Sequence, residues 1–264
     1  MQPLDLNTIA RAVQALHLAT PLEAAETFSA NDDAASARRV LESRQFDAAP
    51  VLSGDVPIGV FRRAAVGEGP LVGDEMVPLN ATLMVSGDTS LGELVRHLRE
   101  EPFLFVLEGR RVVGFVTPAD LGSAAGRTHY YLLLAALEIT LANLVRHAYP
   151  EPGHAVALLS EGSRKRHGQI ATELRTKDEF IDDIAALSLA DMLHVAATIP
   201  GFRVEASSSG RSWAWLKRSL VGFRNDVMHP VRDFGWSSGP GIAMLAEFDE
   251  RLVILIRAAE TLLP

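Results

Sequence analysis

The sequence predicts an α+β protein in two parts: a tandem of small α/β units over residues 1–124 and an all-α helical bundle over 128–264. Three observations carry this. A helix–strand–turn–strand pattern occurs twice in the first half, hydrophobic spacing changes to threes and fours from Thr128, and the charge balance changes at the same place. Residues 1–125 hold 10 Arg, no Lys and 17 Asp or Glu, net −7, whereas 126–264 hold 15 basic and 16 acidic residues, net −1. The segment Gly122-Ser123-Ala124-Ala125-Gly126 between them has the composition of a linker.

The first repeat, over about residues 20–66, opens with Asn31-Asp32-Asp33, and Ala34, Ala37 and Leu41 then follow at helical spacing. The apolar run Ala48–Leu52, the turn Gly54-Asp55 and the strand Pro57–Phe61 complete it. The second, over about 76–124, opens with Gly87-Asp88-Thr89 and places Leu91, Leu94 and Leu98 on a helix. Phe103–Leu107, the turn Glu108-Gly109-Arg110 and Val112–Val116 follow. The offset is 57 residues through the helices and 55 after the strands, as in duplicated units that bury one another.

These residues resemble a tandem pair of cystathionine-β-synthase-type (CBS) modules, over about residues 20–124. The most specific piece is Gly114-Phe115-Val116-Thr117-Pro118-Ala119-Asp120, which matches the family's Gly, apolar, any, Ser/Thr, any, any, Asp/Asn pattern. The resemblance implies an adenosine-nucleotide site (AMP, ADP, ATP or a relative) at Gly114, Thr117 and Asp120. There the hydroxyl of Thr117 contacts phosphate or ribose and the carboxylate of Asp120 accepts from the ribose hydroxyls. Asp120 opening a helix also suits an anion, and the simpler reading is that Thr117 and Asp120 only cap that helix. The first repeat departs from the pattern: Arg62 and Ala65 stand where Thr117 and Asp120 would, so at most one cleft is a standard adenosine site, and Arg62 and Arg63 become candidate phosphate ligands.

In the second half, Tyr131, Leu134, Ala135, Glu138, Ile139, Ala142 and Val145 place a long helix from Thr128 that stops before Pro150 and Pro152. A second helix is expected over 155–174, broken by an exposed loop near 161–166, with His154 and His167 in loops. A third is expected over 178–197, with Ile181, Ile184, Leu187, Met192 and Val195 inward. A fourth spans Ser212–Met228, with Trp213, Leu216, Leu220, Phe223 and Val227 on one face and Arg218, Gly222, Asn225 and His229 on another. A fifth, 241–263, turns Met244, Phe248, Leu252, Leu255 and Ala259 inward. An up-down bundle with short loops is the expected arrangement. Gly222 costs a helix about 1 kcal/mol relative to Ala, which suggests close packing there. Pro230 ends the fourth helix before His229.

The segment Arg224-Asn225-Asp226-Val227-Met228-His229 resembles the signature of the HEPN superfamily of helical bundles: Arg, then Asn, Asp or His, three residues, then His. The resemblance implies a metal-independent endoribonuclease acting as a homodimer, in which two copies of Arg224 and His229 share one site and leave 2′,3′-cyclic phosphate. His229 would be the general acid or base, Arg224 would hold the scissile phosphate, and Asn225 would orient His229. Lys217 and Arg218 are candidate RNA contacts within the basic stretch 203–224. Glu138, mid-helix among apolar residues, is read as a third polar member of the site or as a buried partner for an arginine. Alternatively Arg224 is consumed by an acid such as Asp226 or Glu247 and His229 merely caps the helix.

Composition bounds the rest. With 48% hydrophobic and 22% charged residues the chain is globular, and without cysteine it has no disulfide, thiolate site or cysteine nucleophile. No histidine pairs with another ligand at metal spacing, so no metal and no catalytic cofactor are expected. The longest apolar run, Tyr130–Leu137, is short of a membrane span, and residues 1–20 are amphipathic, so a cytoplasmic protein without a membrane role is expected. Together these readings give a nucleotide-sensing pair controlling a dimeric ribonuclease, with RNA as substrate and a regulatory or antitoxin protein as a further partner. The alternative is a non-catalytic regulator built of two ligand-sensing and dimerisation modules.

Overall fold

The computed structural model describes residues 5–64, 67, 69–151, 153–178, 181–205, 211–229 and 241–264. Two compact units separate, and each is described by itself: a repeat unit spanning most of 10–126 and a helical unit drawn mainly from 127–229 and 247–264.

Up to residue 116 the elements are α1 (Leu6–Ala12), α2 (Ala15–Leu18), β1 (Thr20–Pro21), β2 (Phe28–Ser29), α3 (Ala34–Arg44), β3 (Ala48–Ser53), β4 (Val56–Arg62), α4 (Val72–Glu75), β5 (Val77–Pro78), β6 (Met84–Ser86), α5 (Leu91–Glu100), β7 (Leu104–Glu108) and β8 (Arg111–Val116). They form two four-stranded sheets, ordered β2-β3-β4-β5 and β1-β8-β7-β6. The short strands β1 and β5 are exchanged: β1 pairs antiparallel with β8 of the second repeat, and β5 with β4 of the first. Neither repeat completes its sheet alone.

The repeat seen in sequence is matched device for device. Asp33 caps α3 by accepting the Ser36 N–H at 2.8 Å, and 57 residues later Ser90 caps α5 by accepting the Glu93 N–H at 3.4 Å. Gly54 and Gly109 both take φ +60° in the hairpin turns, a conformation that glycine adopts without steric penalty. The hairpin registers shift at Val51/Leu52 and at Val106/Leu107. The bridges Gln14↔Ser90 and Asp33↔Leu71 carry the same 57-residue offset, so the symmetry starts before residue 20. Glycine is needed at two equivalent crossings: a Cβ at Gly59 would lie 2.5 Å from the Val77 carbonyl oxygen, and one at Gly114 2.5 Å from that of Thr20.

Helix spacing delivers the core. Ala34, Ala37 and Leu41 pack with Phe28, Val51 and Phe61. A second cluster, Val60, Leu83, Phe103 and Phe105, takes in Phe115 and draws on both sheets. Phe103 stacks on Phe115 with ring centroids 4.8 Å apart.

The helices that follow are α6 (Ala124–Ala148), α7 (His154–Ala157), α8 (Glu161–Lys177), α9 (Leu189–Ala196), α10 (Phe202–Glu205), α11 (Trp213–Met228) and α12 (Gly241–Thr261), with a 3-10 turn at Asp183–Ala186. Helices α11 and α12 fall where the sequence places them, with Leu216, Leu220, Phe223, Val227, Phe248, Leu252, Leu255 and Ala259 buried. Elsewhere the structure corrects the expectation. Helix α6 begins at Ala124, inside the presumed linker; Gly126 permits this, since a Cβ there would meet the Leu121 carbonyl oxygen at 2.2 Å. Its inward face carries Tyr130, Leu133, Leu134, Leu137, Leu141 and Leu144, while Tyr131 is exposed. Residues 161–166 are the start of α8, not a loop, because Ser160 accepts the Ser163 N–H at 3.3 Å and starts a helix there. His167 is therefore helical and buried, and His154 opens α7. The expected third helix is a 3-10 turn followed by α9, restarted by Ser188, which accepts the Asp191 N–H. By length and composition α6 passes for a membrane-crossing helix, but 56% of its apolar window is buried.

Candidate functional site

In the repeat unit, the strand exchange brings together residues about 100 positions apart. Thr117 follows β8 and starts a 3-10 turn, Pro118–Gly122. One carboxylate oxygen of Asp120, Oδ2, accepts the Thr117 N–H at 2.7 Å and the Thr117 hydroxyl at 2.9 Å. The other, Oδ1, faces the Thr20 hydroxyl of β1 at 3.5 Å, longer than a normal O–H···O bond of about 2.5–3.0 Å. The cap foreseen as the simpler reading is thus present, and it occupies one oxygen only. Burial pushes the Asp120 carboxyl above its usual value, against the opposing pull of the donors from Thr117 and Thr20. Asp120 is half-buried, and its Oδ1 has only the long contact from Thr20 among the described residues.

Gly114, grouped with Thr117 and Asp120 from its motif, has a structural reason of its own: the Thr20 carbonyl crosses directly over it. Thr20 is the member that sequence reasoning missed. Its signal was the 57-residue offset, which pairs Thr20-Pro21 with Val77-Pro78. In the first repeat, Arg62 ion-pairs with Glu101 at 2.5 Å and Arg63 with Asp47, so both candidate phosphate ligands are held by carboxylates. Ala65 lies outside the described residues.

In the helical unit, Arg224, Asn225 and His229 close α11. Asn225 and His229 are exposed along with Arg218 and Gly222, and Lys217 is half-buried. Nothing among the described residues comes within 4 Å of a Cβ placed at Gly222, so the expected close packing is not made within the described chain. Arg224 does not pair with Asp226 or Glu247. Its Nε donates to Glu138 Oε1 of α6 at 3.4 Å, with both side chains partly exposed. This is long for a charge-assisted bond, typically about 2.7–2.9 Å. Glu247 instead holds Arg211, so the basic stretch 203–224 is partly neutralised. The end of α11 is fixed from α6: the buried Arg127 donates to the Asp226 carbonyl at 2.8 Å, and Tyr130 packs edge-on against Phe223. Carbonyls in the last turn of a helix lack intrahelical partners, and a guanidinium satisfies one of them. Pro230 lies outside the described residues.

No family model matches the chain, and no curated relative matches it. Solved structures do. A CBS-pair protein, CBSX2 from Arabidopsis thaliana, is 18% identical with a TM-score of 0.39, covering 46% of this chain and 96% of its own. The same protein in complex with AMP covers 46% and 98% at 18% identity, TM-score 0.37. The CBS domain of a bacterial CNNM/CorC family Mg2+ transporter in complex with ATP covers 44% and 88% at 16% identity, TM-score 0.36.

Proposed function

We propose that this protein is a sensor of adenosine nucleotides, with one binding site per chain, formed by Thr20, Thr117 and Asp120. The observation that carries the reading is the undersupplied Oδ1 of Asp120, beside a hydroxyl on each flank. A ribose diol would donate to Asp120, and the Thr117 hydroxyl would turn to a ribose or phosphate oxygen. In the first repeat the sequence has Arg62 and Ala65 in place of Thr117 and Asp120, and Arg62 is bound to Glu101. AMP, ADP and ATP are the ligands to test. At a free ligand concentration of 100 Kd, a site present only in the folded state adds about 2.7 kcal/mol to stability. Thermal unfolding with each nucleotide, against inosine and inorganic phosphate, is the test. A rise in Tm for an adenosine nucleotide that disappears in Asp120→Asn supports the site; equal response of the two proteins removes it.

A second reading gives the helical unit an activity: metal-independent RNA cleavage by a homodimer, using Arg224, Asn225 and His229. It is favoured by the long, half-exposed pairing of Arg224 with Glu138 and by the exposure of Asn225 and His229. A guanidinium so loosely held can exchange its carboxylate for a phosphate. Cleavage of an end-labelled RNA pool in EDTA by wild type but not by His229→Ala, leaving cyclic-phosphate ends, supports it. Identical inertness of both folded proteins favours the non-catalytic regulator.

A further inference from the structure

Helix α8 is the most polar long helix among the described residues. Of its 17 residues only His167 and Ala171 are buried, and Arg164, Lys165, Arg166, Arg175 and Lys177 oppose Glu161 and Glu173. A helix of net charge +3 in a chain of net −8 is a local basic surface. Its inner side borders a groove of about 520 Å³ with α7 and the 3-10 turn. Arg164 and Arg175 both line it; they are eleven residues apart, hence about 20° apart around the helix and about 16 Å along it. Between them lie His167, Gly168, Ala171 and Thr172, and Gly168 leaves its side of the groove open. His167 holds the opposite wall, its Nε2 against the Asp183 carbonyl at 2.7 Å. The carboxylate in the groove, Asp183, is engaged by Arg175 at 2.6 Å. Arg164 is attached only through its Nη1 to the Ala157 carbonyl at 3.3 Å among the described residues.

We propose that this groove binds a single-stranded phosphodiester chain, with Arg164 and Arg175 each contacting a phosphate and the exposed Lys165 and Arg166 adding to the attraction. Two forked cations at a fixed spacing on one rigid helix suit a chain of regularly spaced anions. The inference goes beyond the RNA-cleaving reading: it stands on binding alone and is tested without cleavage.

The experiment is fluorescence anisotropy with a labelled oligouridylate and an oligothymidylate of equal length, in EDTA, using full-length His229→Ala so that no substrate is consumed. The proposal expects saturable binding whose Kd rises with salt. Adding Arg164→Gln should weaken it about tenfold and lower the log–log salt slope by about 0.7, the value for one phosphate contact on a single strand. Since Arg175 also holds Asp183, the exposed pair Lys165→Gln with Arg166→Gln provides the second variant, expected to reduce affinity without loss of helix by circular dichroism. Tighter binding of RNA than DNA would show that ribose hydroxyls are also read, and equal binding that phosphates alone are; either outcome supports the groove. No binding at low salt, unchanged affinity in both variants, or equal competition by oligoglutamate would overturn it, the last by assigning the surface to acidic polypeptide. Absence of RNA cleavage by wild type, with binding intact, would overturn only the ribonuclease reading.

Discussion

Asp120 is the residue on which the proposed nucleotide site turns. Its carboxyl titrates above the usual value of 3.8 because burial outweighs the donors around it. A raised folded value means that its stabilising effect is complete below 3.8 and is lost as pH rises through the folded value. At neutral pH the site therefore holds a charge that burial disfavours, and under the proposed function diol donors would relieve it. Two outcomes follow. Adenosine-nucleotide affinity should fall as pH drops into the titration range of Asp120, measured by calorimetry at successive pH values, while a pH-independent affinity would contradict its role. Thr20→Val should keep the fold and weaken binding about 2- to 10-fold, the effect of one hydroxyl contact worth roughly 0.5–1.5 kcal/mol. In the helical unit, the corresponding prediction is at Glu138: with Glu138→Gln the Arg224 guanidinium loses its carboxylate, and under the ribonuclease reading RNA affinity should rise rather than fall.

At the scale of elements, the exchanged strands β1 and β5 make the two repeats one folding unit. Gly114→Ala places a methyl against the Thr20 carbonyl, and Gly59→Ala does the same at Val77. Each substitution should destabilise the repeat unit by about 1–3 kcal/mol, read as a lower denaturation midpoint; Gly114→Ala should also weaken nucleotide binding by displacing Thr20. The pair Arg146–Asp182, at 2.6 and 3.1 Å, ties the end of α6 to the 3-10 turn. Its hydrogen bonds hold the Asp182 carboxyl below 3.8, so its contribution is present above that value and lost as pH falls through the folded value. Both side chains are nearly half exposed, and Arg146→Gln should cost only about 0.2–1 kcal/mol.

The elements also show what a sequence discloses. The repeat was readable because turn glycines, caps and apolar spacing recur at one offset. The exchange of β1 and β5 was not, since a two-residue strand carries no periodicity and its partner is fixed by tertiary contact. The start of α8 resembles a loop in sequence because of Gly162 and a run of cations, whereas Ser160 starts a helix whose polar sides need no burial. On α6 the spacing allowed two adjacent faces, and packing selected the one through Tyr130 over that through Tyr131. For the sites, Thr117, Asp120, Arg224, Asn225 and His229 were visible as motifs. Thr20, Arg127 and the choice of Arg224 as the arginine that Glu138 holds depend on residues roughly 90 to 100 positions apart and appear only in three dimensions.

In the whole molecule, the repeat unit carries the proposed diol-accepting site and the helical unit carries a loosely held arginine and a basic groove. The central claim is that the repeat unit takes one adenosine nucleotide and that Asp120 receives it. The direct measurement is calorimetric titration of AMP and ATP into full-length wild type and Asp120→Asn, each first shown to be folded by circular dichroism. The account predicts one nucleotide per chain for wild type and no measurable heat of binding for Asp120→Asn. Binding of two nucleotides per chain, or undiminished binding by Asp120→Asn, would contradict it.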